Sequence, residues 1–274
     1  MSASGDRTVL IPPTLNEALM ILRRRPGLPL WAGGTWWGSA PPAIRVNGET
    51  ILALHGIREM KRVVRSEEHV DVGGAVVLSR LRESGYRFLP PLLLAALETA
   101  GPPPVQNLAT CGGAVSTPEL ILPIRMVLEL LDARVEYRRF ARSRISPIST
   151  AQANPTEVLY RIRIPLMGWS HWMLEQFGTV WPPGGSSLAI AAAAFVEKNS
   201  IQEFHLGVLI DGIHLIRLKE TETDILGRPV PLTERDQRII LSPLEEHPII
   251  QERLDDLGRW RVTGAARQFL RRLG

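Results

Sequence analysis

The sequence predicts an α+β protein built in two unequal parts. The chain has 274 residues, 45% hydrophobic and 22% charged, which is enough material for two ordinary domains. Segments with the apolar spacing of helices are mixed along the chain with segments that alternate as half-buried strands do. Residues 165–168, with the sequence PLMG, interrupt this pattern and mark the expected junction between the parts.

The first part begins with a predicted helix. Thr14 and Glu17 have the spacing of a capping box, and apolar residues then recur at helical spacing up to the three arginines at 23–25. Apolar runs bounded by turn residues, or alternating apolar and charged residues, predict strands at 28–31, 50–54, 70–72, 133–137 and 160–164. Longer apolar segments predict helices at 89–100 and 120–131.

The second part begins with two apolar segments, residues 187–197 and 201–210, separated by a turn-like KNS sequence. The turn favours a β-hairpin, whereas the four successive alanines at 191–194 favour a helix, so both interpretations stay open from the residues alone. From about residue 215 onward, the pattern is that of helices interrupted by proline and glycine. It ends in an arginine-rich amphipathic tail.

Composition argues against several classes of site. The one cysteine, Cys111, cannot form an intrachain disulfide, a four-cysteine zinc site or an iron–sulfur cluster. The six histidines lack the spacing of zinc-binding motifs, and we therefore expect no metal site. The apolar stretches are shorter than the roughly 18–20 residues of a membrane span, and the first residues do not resemble a secretory signal. We expect a cytoplasmic protein without a membrane span.

The sequence pI of about 9.7 is high, but the net charge is only +4, because acidic residues are interspersed along the chain. Basic clusters lie at 23–25, 134–144 and 259–272, without a recognisable nucleic-acid-binding motif. Solvated faces and subunit contacts are therefore favoured over nucleic acid. For residues 259–272, with Trp260, Val262, Phe269 and Leu270, a partner interface and a helix packed on its own domain stay equally open.

Two glycine-containing loops are candidates for phosphate binding. AGGT at 32–35 follows a predicted strand, and TCGG at 110–113 follows a proline-rich turn. Glycine lets backbone N–H groups approach an anion without an intervening Cβ. The chain has neither a Rossmann glycine motif nor a phosphate-binding lysine loop. A single Gly-Gly pair is more often a tight turn, but two pairs flanked by threonine favour two phosphate-binding loops.

A set of motifs in a fixed order carries a resemblance to a known family. The motifs are PTLNEAL at 13–19, LWAGGT at 30–35, VGGA at 72–75, QNLATCGG at 106–113 and NPTEVL at 154–159. In this order they resemble the FAD-binding subunit of the molybdenum hydroxylases, the family of xanthine dehydrogenase and aerobic carbon monoxide dehydrogenase. The resemblance extends over essentially the whole chain and is looser after residue 170.

This resemblance implies a fold. It implies a two-lobed FAD-binding domain of the vanillyl-alcohol-oxidase-like type at residues 1–167, with lobes at about 1–57 and 58–167. A smaller C-terminal α+β domain with a three-stranded antiparallel sheet would follow at 168–274. It also makes residues 187–197 a strand.

The resemblance further implies a function. The chain would pass electrons from iron–sulfur clusters through FAD to an external acceptor, with an iron–sulfur subunit and a molybdenum-cofactor subunit as partners. No catalytic residue is implied. The implied FAD-binding residues are Trp31, Ala32, Gly33, Gly34, Thr35, Trp36, Thr110, Cys111, Gly112, Gly113 and Thr117.

Several positions depart from the family pattern. Trp36 and Trp37 stand where Asp or Ser is usual, and Thr117, Glu119 and Pro123 stand at usually polar Asn, Ser and Asp positions. These departures keep open an alternative function, a paralogue without FAD that acts as a structural or assembly subunit.

Individual side chains also have alternatives. The two tryptophans pack between the lobes or stack on a cofactor ring, and Cys111 is a small hydrophobe or a nucleophile. Thr35 and Thr110 are turn-stabilising hydroxyls or phosphate ligands.

Overall fold

The computed structural model describes residues 8–39, 50–117, 120–178 and 186–274. Its strands are β1 Val9–Leu10, β2 Leu30–Trp31, β3 Ile51–Ala53, β4 Val63–Arg65, β5 His69–Gly73, β6 Arg134–Arg139, β7 Arg142–Pro147, β8 Val158–Pro165, β9 His171–Gly178, β10 Ser187–Glu197, β11 Ser200–Ile210 and β12 His214–Arg217. Its helices are α1 Leu15–Arg24, α2 Thr35–Ser39, α3 Leu78–Gly85, α4 Pro91–Glu98, α5 Pro103–Gln106, α6 Cys111–Ser116, α7 Pro123–Leu130, α8 Lys219–Asp224, α9 Glu234–Glu245, α10 Pro248–Arg253 and α11 Asp256–Arg271. The predicted α+β class is confirmed, and within the described ranges no helix is long and apolar enough to cross a membrane.

The chain forms two compact units, and each unit is built from three separate segments of the sequence. One comprises Met1–Leu89, Ala100–Pro118 and Asp132–Leu166, and the other Pro90–Thr99, Glu119–Leu131 and Met167–Gly274. Two segments within the predicted FAD-binding domain, which carry α4 and α7, are therefore part of the second unit. The reason is their apolar faces, since α4 packs against β9 and α7 against β10 and β11.

The first unit contains two sheets. The smaller has three parallel strands in the order β1-β3-β2, and α1 packs on it through Leu15, Leu19 and Leu22. The larger has five antiparallel strands in the order β4-β5-β8-β6-β7. The small parallel sheet matters for the candidate site, because the loop after its edge strand β2 contains the first Gly-Gly pair.

The start of α1 is capped in a different way from the prediction. The Thr14 hydroxyl oxygen accepts a hydrogen bond from the Glu17 N–H at 3.3 Å, as a capping box requires. The Glu17 carboxylate, however, accepts from the Thr14 hydroxyl, and the Leu15 N–H donates to the distant Glu59 carboxylate at 2.7 Å. The return bond from the Thr14 N–H to the Glu17 carboxylate is therefore not formed, and a tertiary contact satisfies the N–H of Leu15.

A network of charged side chains lies on the polar face of the five-stranded sheet. Asp71 on β5 accepts hydrogen bonds from both Arg161 and Arg163 on β8, at 2.7 and 2.8 Å. Arg161 also pairs with Glu136 on β6, which is as deeply buried as Asp71. Burial raises the pKa of Asp71, but the hydrogen bond from Arg163 and the charges of both arginines outweigh it and lower this pKa overall.

The second unit contains four antiparallel strands in the order β12-β11-β10-β9. The hairpin of β10 and β11 confirms the strand interpretation of residues 187–197, because pairing extends from Leu188 and Ile210 to Glu197 and Ser200, with one register shift after Phe195. The prediction of three strands in this sheet was wrong. Asp211 and Gly212 both have positive φ and reverse the chain, so that β12, in a segment predicted to be helical, adds to β11.

The C-terminal helix α11 packs on its own unit. Val262, Phe269 and Leu270, three of the four residues considered as interface anchors, are buried in the core under the four-stranded sheet. Only Trp260 of the four is exposed, at 70%. The interface interpretation of this tail is therefore wrong for its buried anchors, because the apolar stripe of the helix is already covered by β9 and β10.

The Asp71 network predicts a specific dependence of stability on pH. We expect the replacement Asp71→Asn to lower the free energy of unfolding at pH 7 by about 1–2 kcal/mol, since charged hydrogen bonds are lost from arginines that solvent partly screens. Because folding lowers the pKa of Asp71, its contribution is complete above the ordinary value of 3.8 and is lost as pH falls through the folded-state pKa. The difference between variant and wild type should therefore shrink toward about pH 3.

Urea unfolding followed by tryptophan fluorescence measures this difference. Glu252→Gln, which removes an exposed carboxylate paired with Arg253, is the control and should change stability little at either pH. If Asp71→Asn lowered the free energy of unfolding equally at both pH values, the lowered pKa of Asp71 would be contradicted.

Candidate functional site

The first glycine loop joins the edge strand β2 to the short helix α2. Its entry is fixed by the parallel pairing of β2 with β3, including a hydrogen bond from the Leu54 N–H to the Trp31 carbonyl at 2.7 Å. The N–H groups of Ala32, Gly33 and Gly34 donate to no atom of the residues that the structure describes. All three residues are half-buried. The loop therefore presents three consecutive backbone donors, a suitable arrangement for an anion.

The two glycines of this loop have different reasons to be glycine. Gly34 has a φ of +71°, which side chains with a Cβ rarely adopt. A Cβ at Gly34 would also lie only 2.5 Å from an atom of the Trp31 ring. A Cβ at Gly33 would lie 1.8 Å from the carbonyl oxygen of Leu108, so the backbone of the first loop rests directly on the segment that leads into the second.

The second glycine loop is the start of helix α6. Thr110 is its N-cap, and the Thr110 hydroxyl oxygen accepts from the Gly113 N–H at 3.1 Å. The Cys111 N–H donates to the Val76 carbonyl at 2.8 Å, and the Gly112 N–H to the Gly74 carbonyl at 2.9 Å. The backbone donors that the sequence suggested for phosphate binding therefore already have partners within the chain.

Further glycines allow this close packing. A Cβ at Gly112 would lie 2.6 Å from the Gly74 carbonyl oxygen, and a Cβ at Gly74 would lie 2.4 Å from the Leu159 carbonyl oxygen. Both positions thus require glycine because backbone meets backbone. The sequence showed the pair at 73–74 but gave no reason to connect it with α6, since the two segments lie far apart along the chain.

The side chains of the second loop are also used internally. Cys111 is buried, and burial raises the pKa of its thiol to about 12, so it is a neutral, small apolar group. The Thr117 hydroxyl donates to the Gly113 carbonyl at 2.9 Å. These contacts favour the interpretation of Cys111 as a hydrophobe and of the Thr110 hydroxyl as a capping group.

The other predicted positions are placed as follows. Trp36 and Trp37 lie in the first turn of α2, half-buried, and Thr35 begins that helix. Pro123 is buried at the first position of α7, where a missing N–H costs no helical hydrogen bond. Glu119 lies outside the described residues. Among residues 8–39, 50–117, 120–178 and 186–274, no group of three or more His, Cys, Asp or Glu residues could hold a metal ion.

Comparison with known proteins gives a family and a fold. Residues 4–167 match the family model of the FAD binding domain in molybdopterin dehydrogenase. Quinoline 2-oxidoreductase from Pseudomonas putida 86 is similar in structure, with a TM-score of 0.77 and 17% identity over 98% of this chain and 95% of the matched one. No curated protein sequence matches the chain significantly.

Two carbon monoxide dehydrogenases are also similar in structure. The enzyme from Oligotropha carboxidovorans, in reconstituted form, has a TM-score of 0.79 and 17% identity over 98% of this chain and 96% of the matched one. The enzyme from Hydrogenophaga pseudoflava, in a form that lacks the Mo-pyranopterin moiety of its cofactor, has a TM-score of 0.77 and 18% identity, with coverage of 97% and 95%. At these identities the likeness shows the fold.

The backbone packing predicts the effect of adding one methyl group. We expect Gly112→Ala to lower the free energy of unfolding by about 1–3 kcal/mol, because the new Cβ would overlap the Gly74 carbonyl in a buried site. Gly264→Ala, in α11 with no atom within 4 Å of the added Cβ, is the matched control. It should leave stability unchanged or raise it by about 0.5–1 kcal/mol. Thermal unfolding followed by circular dichroism compares the two variants. Equal unfolding midpoints would show that the contact between α6 and the Gly74 carbonyl does not limit stability.

Proposed function

Because the chain belongs to the family of FAD-binding domains in molybdopterin dehydrogenase, we propose that it is the flavin subunit of a molybdenum hydroxylase. FAD is the cofactor of this family, and it would carry electrons from iron–sulfur clusters to an external acceptor. The likeness to quinoline 2-oxidoreductase and to the carbon monoxide dehydrogenases covers 97–98% of this chain and 95–96% of the matched chains. This extent of the shared fold, beyond the residues 4–167 of the family model, supports the function of a flavin subunit.

One observation carries the proposal at the level of residues, namely that the N–H groups of Ala32, Gly33 and Gly34 donate to no described residue. The pyrophosphate of FAD is an anion whose oxygens need such donors, and half-buried donors are shielded from competing water. The residues of the first loop therefore fit the cofactor. We assign pyrophosphate binding to this loop, with Trp31, Thr35 and Trp36 beside it.

The second loop has a supporting role in this proposal. Thr110, Cys111 and Gly112 are buried. The N–H groups of Cys111 and Gly112, at the start of α6, already donate to backbone carbonyls of the chain. These residues, with Gly113 and Thr117, would shape the site by holding the Leu108 carbonyl under Gly33. Their contribution to FAD binding is thus positioning of the first loop, not donation of hydrogen bonds from 111–113.

The proposal requires partner chains. With a single cysteine, this chain cannot supply the thiolates of an iron–sulfur cluster, so the clusters must be held by another subunit. We propose an iron–sulfur subunit and a molybdenum-cofactor subunit as partners, in line with the family of molybdopterin dehydrogenases.

The proposed pyrophosphate site predicts a charge effect at Thr35. We expect Thr35→Asp to weaken FAD binding about tenfold relative to Thr35→Asn, because a carboxylate beside the anion repels it whereas the equally sized amide does not. Both residues are suited to the first turn of a helix, so folding should be equal. Titration of the apoprotein with FAD, followed by flavin fluorescence, gives the two dissociation constants.

The outcomes separate the functional alternatives. Equal constants for the Asp and Asn variants would place the pyrophosphate elsewhere. Wild-type protein that takes up no FAD, even when reconstituted with excess, would instead support a structural or assembly subunit that has lost the cofactor.

A further inference from the structure

Two of the basic clusters in the sequence lie together in the structure. The guanidinium carbon of Arg23, in the last turn of α1, lies 4.9 Å from the centre of the Phe140 ring. Phe140 is at the tip of the hairpin formed by β6 and β7, where Arg139 and Arg142 lie opposite each other in the strand register. The end of α1 and the hairpin tip, more than a hundred residues apart in sequence, therefore form one surface. We call it the arginine corner; it consists of Arg23, Arg24, Arg25, Arg139, Phe140 and Arg142.

A second contact fixes this arrangement. The Gly27 N–H, just after α1, donates to the Pro155 carbonyl at 2.8 Å. The loop that contains Pro155 is held by Arg144 on β7, which bonds the Glu157 carboxylate at 2.8 Å. The end of α1 is thus tied to the same end of the sheet as the hairpin. The arginine corner is a defined surface for this reason.

The charges of the corner are not neutralised within the described part of the chain. All five arginines are exposed, and none of them forms an ion pair with a described residue. Glu157, which follows the loop that contains Pro155, is already paired with Arg144. The dipole of α1 accounts for cations at residues 23–25, but it offers no reason for Arg139 and Arg142 on a hairpin.

We propose that the arginine corner is a docking surface for an acidic face of a partner protein. Guanidinium groups bind carboxylates in a bidentate way, and arginine together with aromatic residues is enriched in protein interfaces. Phe140, 39% exposed between the arginines, supplies an apolar contact for the centre of such an interface. The chain has no recognisable nucleic-acid-binding motif beside these five cations, which favours a protein over a nucleic acid as the partner.

The test uses the full chain and a fluorescein-labelled glutamate-rich peptide as the probe. We expect the double replacement Arg139→Glu and Arg142→Glu to weaken peptide binding about tenfold at low ionic strength, since two attractions become two repulsions. The matched control is Arg235→Glu with Arg238→Glu, which reverses two exposed arginines of α9 and changes the net charge equally. This control should bind within about twofold of wild type.

Two further measurements make the result specific. Phe140→Ala should weaken peptide binding about threefold without changing its salt dependence, because the ring contributes contact area and no charge. An oligothymidine of similar charge should bind more weakly than the peptide. The proposal is overturned if the peptide does not bind, if the control pair weakens it as much as the hairpin pair, or if oligothymidine binds more tightly through the same arginines. Circular dichroism of each variant verifies the folded state.

Discussion

Direct contact of backbone with backbone, made possible by glycine, is the constraint on which the candidate cofactor site depends. Gly74 lies against the Leu159 carbonyl, Gly112 against the Gly74 carbonyl, and Gly33 against the Leu108 carbonyl. In each case a Cβ would lie within 2.6 Å of an oxygen atom, closer than real side chains come. Strand β8, helix α6 and the first glycine loop are thereby held at distances that no other residue permits. The position of the open N–H donors follows from these contacts.

These contacts also give different roles to the two glycine loops, which look alike in sequence. The N–H groups at the start of α6 are satisfied by Val76, Gly74 and Thr110, which stabilises the helix but removes the donors from any ligand. The N–H groups of 32–34 have no such partners among the described residues. A buried donor without a partner is costly, whereas a half-buried one that meets an anion is not. The first loop is therefore suited to binding and the second to support.

Arginine is used in two different ways in the first unit. On the face of the five-stranded sheet, Arg161 and Arg163 cover the buried carboxylates of Asp71 and Glu136, so charge is balanced where solvent is scarce. At the arginine corner, by contrast, the cations have no carboxylate beside them in the described structure. The net charge of the chain is only +4, so these cations form a local concentration of positive charge.

The sequence by itself determined the features that depend on neighbouring residues. The helix after Thr14 and the alternating strands β6 and β8 could be predicted from the residues, because periodicity and capping act within a few positions. For β10 and β11 the residues left helix and hairpin open, and the resemblance to the family favoured strands. Only the tertiary structure decided that α4 and α7 join the second unit, that β12 completes its sheet, and that Gly74 lies under α6. It also decided which glycine loop keeps open donors. These outcomes depend on contacts between segments far apart in the chain, and local sequence patterns do not determine which distant segment an apolar face or an N–H group will meet.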